Sequence, residues 1–191
     1  MNEIKTVLAA TVLALAAATA GATTATLQPG SKLWLEGDST LHPYRSDAER
    51  IDLTAELERQ KPSKLTVRIP IAALKSEHKG LDKNLQAALK AKDNPDIVFT
   101  LEKFEAAPGS DEVTAIGNLT VAGATKEETI RAKVAWKDGR AVVDGQEPLL
   151  MTDFGVKPPT MMMGTIKTSD RIVVKFHLVL GLDEGAPRGG K

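Results

Sequence analysis

The sequence predicts an all-β chain, a closed antiparallel barrel or a sandwich, with one short helix. Three observations carry this. Apolar residues alternate with polar ones along seven stretches, which is the period of a strand buried on one face. Turn residues separate those stretches. Aromatics make up only 4% of the 191 residues, and small positions such as Ala115, Gly117 and Ala132 leave room between the strands. Spare interior room favours a barrel with a cavity.

Residues 1–22 read as an address. Lys5 precedes an apolar, charge-free run from Val7 to Ala18, and Ala20-Gly21-Ala22 fits the cleavage rule of a secretory signal peptide. The mature chain is expected to begin at Thr23, in the periplasm. The apolar run is shorter than the roughly 20 residues a spanning helix needs, so no membrane span is expected.

A barrel domain is expected over residues 23–180. Its first alternation sets Leu33 and Leu35 against Trp34 and Glu36, and the next carries Ile51 and Leu53. Leu65, Val67 and Ile69 share a face, as do Ile97, Phe99 and Leu101. Val113 to Val121 and Ile130 to Trp136 repeat the period. Ile172, Val174, Phe176, Leu178 and Leu180 form the last set, and their parity turns His177 outward. Turns are expected at Pro108-Gly109, Gly123, Asp138-Gly139 and Asp144-Gly145. Asp138-Gly139 between two strands reads as a tight hairpin. One segment has helical spacing: Leu81, Leu85, Ala88 and Leu89, with Pro95 ending the helix by about Lys92. Residues 181–191 are polar and glycine-rich and read as a flexible tail.

Composition excludes several functions. Lys plus Arg equals Asp plus Glu at 25 each, so the basic excess of a nucleic-acid binder is missing. Without cysteine there is no disulfide, thiolate zinc site or thiol chemistry. The histidines, His42, His78 and His177, lack metal-ligand spacing. Ser76-Glu77-His78-Lys79 matches the S-x-x-K of acyl-serine enzymes, but its companion S-D-N is absent, and no enzyme is expected. No cofactor is expected either.

The run Met161-Met162-Met163, after Pro158-Pro159, stands out. Flexible thioethers suit the lining of a greasy cavity and also ordinary core filling. Met161 and Met163 share a face near Met151, so a copper(I) site is the alternative reading.

Four stretches carry a family likeness: "GDSTLHPY", "IPIAALKSEHKGLDKNLQAAL", "GNLTVAGATKEETI" and "MTDFGVKPPTMMMGTIKTSDRIVVKFHLVL". Over about Ser31 to Leu180 the chain resembles the YceI-like family of secreted bacterial lipid-binding proteins. Pro43 and Tyr44 follow His42 where that family often has an acidic residue and Trp. The resemblance implies a lipocalin-like, eight-stranded antiparallel barrel with the helix near a mouth. It also implies a long apolar tunnel that takes a polyisoprenoid, quinone tail or fatty-acyl amphiphile, without catalysis. On the inward parity, the tunnel is expected to be lined by Leu33, Leu35, Phe99, Leu101, Phe176 and Leu178. Leu85 and Leu89 of the helix, Phe154 and Met161 to Met163 complete the expected lining. The chain is expected to be a monomer or homodimer.

Overall fold

The alternating stretches become strands in a computed structural model that describes residues 23–77, 79–161 and 165–183. The first six are β1 (Thr23–Leu27), β2 (Lys32–Ser39), β3 (Tyr44–Ala48), β4 (Asp52–Glu58), β5 (Lys61–Pro70) and β6 (Leu74–Ser76). The rest are β7 (Asp96–Ala106), β8 (Glu112–Val121), β9 (Ala124–Lys137), β10 (Arg140–Leu150), β11 (Thr160–Met161) and β12 (Ile166–Asp183). Helix α1 (Lys79–Ala88) joins β6 to β7, and Ile71–Ala73 and Met151–Phe154 form 3-10 turns.

Eight strands close a ring in the order β1-β4-β5-β7-β8-β9-β10-β12, with β12 returning to β1. The expected all-β antiparallel barrel is therefore what the chain forms. Strands β2, β3 and β6 continue from the other half of β12. The five strands no alternation announced are β1, β3, β6, β10 and β11. In β3 the buried residue is Ser46, which is polar, and in β1 it is the small Ala25.

Closure depends on β12 changing partners. Along one edge it pairs with β10 from Arg171 to Gly181. Along the other it pairs with β2 up to His177, then with β1 from Leu180 to Asp183. Between these partners the Val179 backbone would be orphaned, which is costly where water is scarce. The Ser31 hydroxyl fills the gap. It accepts from Val179 N at 3.0 Å and lies 3.2 Å from Val179 O, which also accepts from Gln28 N at 2.8 Å.

Three tight hairpins share one geometry. Arg59-Gln60, Ala122-Gly123 and Asp138-Gly139 all have positive φ at both residues, as a two-residue turn matched to strand twist requires. Gly123 and Asp138-Gly139 fall where turns were expected. Asp144-Gly145 is not a turn: it lies inside β10, with Gly145 opposite Phe176. A Cβ on Gly145 would lie 2.3 Å from the Phe176 ring, so the glycine exists to let that ring lie on the strand.

The helix stops earlier than Pro95 demands. Lys90 takes φ 52, its N–H donates to Ala87 O, and Ala91 N–H donates to Gln86 O. This is a Schellman ending built without glycine. The final strand runs to Asp183, three residues into the segment read as tail, because Gly181, Leu182 and Asp183 still pair with β1. The remaining tail and the leader segment lie outside the described residues.

The Met151–Phe154 turn is tied to β12 by Asp170, whose carboxylate accepts from Thr152 Oγ1 at 2.6 Å and Thr152 N at 2.9 Å. These bonds hold the Asp170 carboxyl below its ordinary range.

Two predictions follow from these joints. Ser31→Ala lowers stability by about 1 kcal/mol or more, because Val179 N–H loses its acceptor, and urea unfolding measures this. An unchanged midpoint contradicts the role given to Ser31. Asp170→Asn lowers the melting temperature at neutral pH, where the carboxylate is charged and bonded. The stabilisation is present above the ordinary carboxylate range and is lost as pH falls through the depressed value. The wild-type and Asn melting curves therefore converge in acid; a gap that widens there refutes the account.

Candidate functional site

The ring encloses a cavity of about 520 Å³, a size typical of small-ligand sites. Its wall is overwhelmingly aliphatic and aromatic. Apolar parity explains this, since each strand turns its odd or even apolar set inward.

Of the residues expected to line a tunnel, Leu33, Leu35, Leu85, Leu89, Phe99, Phe154, Phe176 and Leu178 lie on the cavity wall. Leu101 does not. The β7–β8 register shifts between Leu101 and Lys103. This bulge hands the inward face to Phe104 and Ala106, which do line the cavity. Leu101 instead packs against the core cluster. Met161 closes β11, opposite Ile166, and its side chain is outside the described residues, as are Met162 and Met163. Pro159, just before β11, and Thr168 line the cavity.

Room inside comes from small residues, but not from all those expected. Ala115 and Ala132 face the cavity. Gly117 leaves no free space, because a Cβ there would lie 2.3 Å from the Thr100 carbonyl oxygen and 2.7 Å from the Phe99 ring. Phe99 on Gly117 and Phe176 on Gly145 repeat one device: a ring laid flat against a bare strand.

One end of the cavity is closed by α1, which presents Leu81, Leu85 and Ala88, with Leu89 directly after it. Its position is fixed by Asp82, 9% exposed, whose Oδ1 accepts from Ser76 N at 2.7 Å. Beneath it Ser46 and Ser76 share a hydroxyl hydrogen bond of 2.6 Å on the cavity wall. The other end opens among the β4–β5, β7–β8 and β9–β10 turns. Arg59, Gln60, Lys61, Ser110 and Trp136 belong to the wall there, and Trp136 is 40% exposed. A residue both exposed and cavity-lining marks a mouth.

A seam lies in the side of the barrel. Strands β9 and β10 pair from Lys137–Arg140 only to Ala132–Gly145. Beyond that, β9 continues along β8 to Ala124, and β10 continues along β12 to Leu150. The two strands thus part, and the 3-10 turn Met151–Phe154 touches both. Lys126 Nζ donates to Asp153 Oδ1 at 2.8 Å, tying β9 to that turn. Facing the cavity in this seam are two carboxylates, Glu128 and Glu147. Burial, aided by the Asp153 charge, pushes the Glu128 carboxyl up. Burial, aided by Glu128, does the same to Glu147.

Glu128 and Glu147 were missed in the sequence, although parity alone marks them. Glu128 shares the face of Ile130 and Ala132, and Glu147 that of Val143 and Leu149. His177 points outward as its parity demands, with Nδ1 2.7 Å from Asp144 Oδ1. Among the described residues no group of three or more His, Asp or Glu is placed to hold a metal ion. No helix among them is long and apolar enough to cross a membrane.

Known proteins resemble this chain in sequence and shape. UPF0312 proteins of Pseudomonas aeruginosa and Pseudomonas paraeruginosa are 33% identical over 102 residues, 49% of this chain and 52% of theirs. The chain's match thus spans about half the length of these curated relatives. The crystal structure of BcnA from Burkholderia cenocepacia superposes with a TM-score of 0.70 and 20% identity, covering 81% of this chain and 99% of that one. A Campylobacter jejuni YCEI protein gives 0.61 at 24% identity, over 73% and 85%. A polyisoprenoid binding domain from Saccharophagus degradans gives 0.63 at 12% identity, over 84% and 98%. These likenesses carry the barrel fold. The model of the YceI-like domain matches residues 32–180, and the chain belongs to that family.

Proposed function

We propose that the protein binds and carries a long apolar molecule, such as a polyisoprenoid, quinone tail or fatty-acyl chain, inside the barrel. The observation that carries this reading is the apolar cavity of about 520 Å³, closed by α1 at one end and wet at the other. A chain held there exchanges water for Leu, Phe and Ala side chains, at about 0.8 kcal/mol for each buried methylene. The exposed rim of Arg59, Gln60 and Lys61 keeps a polar end hydrated. The polyisoprenoid binding domain of similar shape supports the same reading.

The carrier acts in the periplasm, exported by residues 1–22, where an apolar chain needs a protein to cross water. It makes and breaks no covalent bond.

Native mass spectrometry of protein purified from bacterial periplasm tests this. A lipid-sized adduct is expected. Absence of any adduct, together with no uptake of a purified prenyl alcohol, ends the proposal; a copper adduct in its place favours the metal reading of the methionines. A plugging variant locates the ligand. Ala115→Trp fills the bore from a position with free space in front of it, so the protein still folds while prenyl-alcohol uptake falls at least about tenfold. Undiminished uptake by a folded Ala115→Trp protein places the ligand elsewhere. Phe176→Asp sets a carboxylate on the Gly145 backbone and costs several kcal/mol, a large share of a stability of about 5–15, read by urea unfolding.

A further inference from the structure

The binding tunnel proposed above is almost wholly apolar, yet charge enters it at two places. Arg59 and Lys61 stand at the mouth, exposed to water that screens them. Glu128 and Glu147 face the bore from the seam where β9 and β10 part, and both are half-buried. The groups around this pair are accounted for. Lys126, next on the inward parity of β9, is paired with Asp153. Arg131 lies on the opposite parity of β9 and is exposed; its charge opposes the rise of Glu147, as that of Lys126 opposes the rise of Glu128, but burial outweighs both. No hydrogen bond from a described side chain contributes to the state of either carboxyl. Two carboxylates of one sign therefore share an apolar wall, with no cation among the described residues hydrogen-bonded to either.

Such a wall has no stabilising use in an empty barrel. Parity places aliphatic residues at the neighbouring inward positions, Ile130 on β9 and Leu149 on β10, and leucine or valine fits a strand equally well. What the pair changes is the electrostatics of whatever fills the bore. An anion drawn into the tunnel past the seam meets like charge where solvent screening is weak. A cation there satisfies both oxygens' lone pairs and relieves their mutual repulsion.

We propose that Glu128 and Glu147 determine the headgroup specificity of the tunnel, favouring a long-chain amphiphile with a cationic amine head and refusing one with a carboxylate or phosphate head. The inference rests on the tunnel being the ligand site. The amine seats at the seam between β9 and β10, and the hydrocarbon runs along the bore beside Phe99, Phe176 and Leu178. A neutral hydroxyl head falls between, since it donates one hydrogen bond and brings no charge. Discrimination comes as much from repelling the wrong head as from attracting the right one.

A matched series tests this: tetradecylamine, tetradecanol and tetradecanoate, each below its micelle concentration, displacing a pyrene-labelled alkane from the full chain at neutral pH. The expected order is amine, then alcohol, then carboxylate, with amine and carboxylate separated by about tenfold or more. In Glu128→Gln/Glu147→Gln, shown folded by circular dichroism and its urea midpoint, the three heads bind within about threefold of one another. Single Gln variants lie between and guard against a misfolded double variant. Equal binding of amine and carboxylate by the wild type overturns the proposal and leaves the tunnel intact. So does a preference that survives in the folded double variant. Failure of the pyrene alkane itself to bind sinks the tunnel reading and this inference with it.

Discussion

Strand β12 has to serve four neighbours along its eighteen residues, and the barrel exists because it does. β10 takes one edge from Arg171 to Gly181 and β11 pairs at Ile166 and Lys167, while the other edge passes from β2 to β1. A strand that changes partner leaves a backbone group with nothing to bond, and here Ser31 and Gln28 supply the bonds from the β1–β2 connection. Once that joint is satisfied, β1 closes the ring on β4, and β2 leads through β3 and β6 to the helix. Both the bore and its lid are thus hung from the same strand. No disulfide shares the task, since the chain has no cysteine.

The interior is shaped more by backbone than by side-chain size. Phe99 and Phe176 are large, yet each lies against a glycine on the next strand, so their bulk goes into the wall. This is why a barrel with bulky inward residues still keeps its cavity. The same economy of space sets α1 in place: its apolar stripe faces the bore, while Asp82 reaches back to the Ser76 backbone beside the Ser46–Ser76 pair.

Much of this was legible in the sequence wherever burial is one-sided and apolar. The inward sets of β5, β8, β9 and β12, the stripe of α1, the Asp138-Gly139 hairpin and the outward His177 all follow from period and turn chemistry. What stayed hidden has physical causes. Ser46 is buried but polar, so β3 shows no hydrophobic period. The bulge after Leu101 reverses parity, which no count of alternation reveals. Gly145 looks like a turn beside Asp144, and only the ring of Phe176 across the sheet explains it. Glu128 and Glu147 carry no sequence signal of their own, because a charge on a strand ordinarily faces water, and only the cavity wall behind the seam turns them inward. The methionine run was the loudest signal in the sequence, and the structure describes only the backbone of its first member.

The ring-on-glycine contacts also decide how this tunnel is able to diverge. Viewed from the bore, Gly117 and Gly145 are vacancies that a side chain should enter freely; in fact they are occupied, and a single β-carbon there collides with an aromatic ring. Ala115 and Ala132 look less inviting and are the adjustable positions. Change therefore has two tempos inside one wall. Alanine sites drift one residue at a time and retune the calibre. The glycine sites are held harder: Gly145 by the Phe176 ring and the Arg131 carbonyl, and Gly117 by the Phe99 ring and the Thr100 carbonyl, so a change of the phenylalanine alone does not release either.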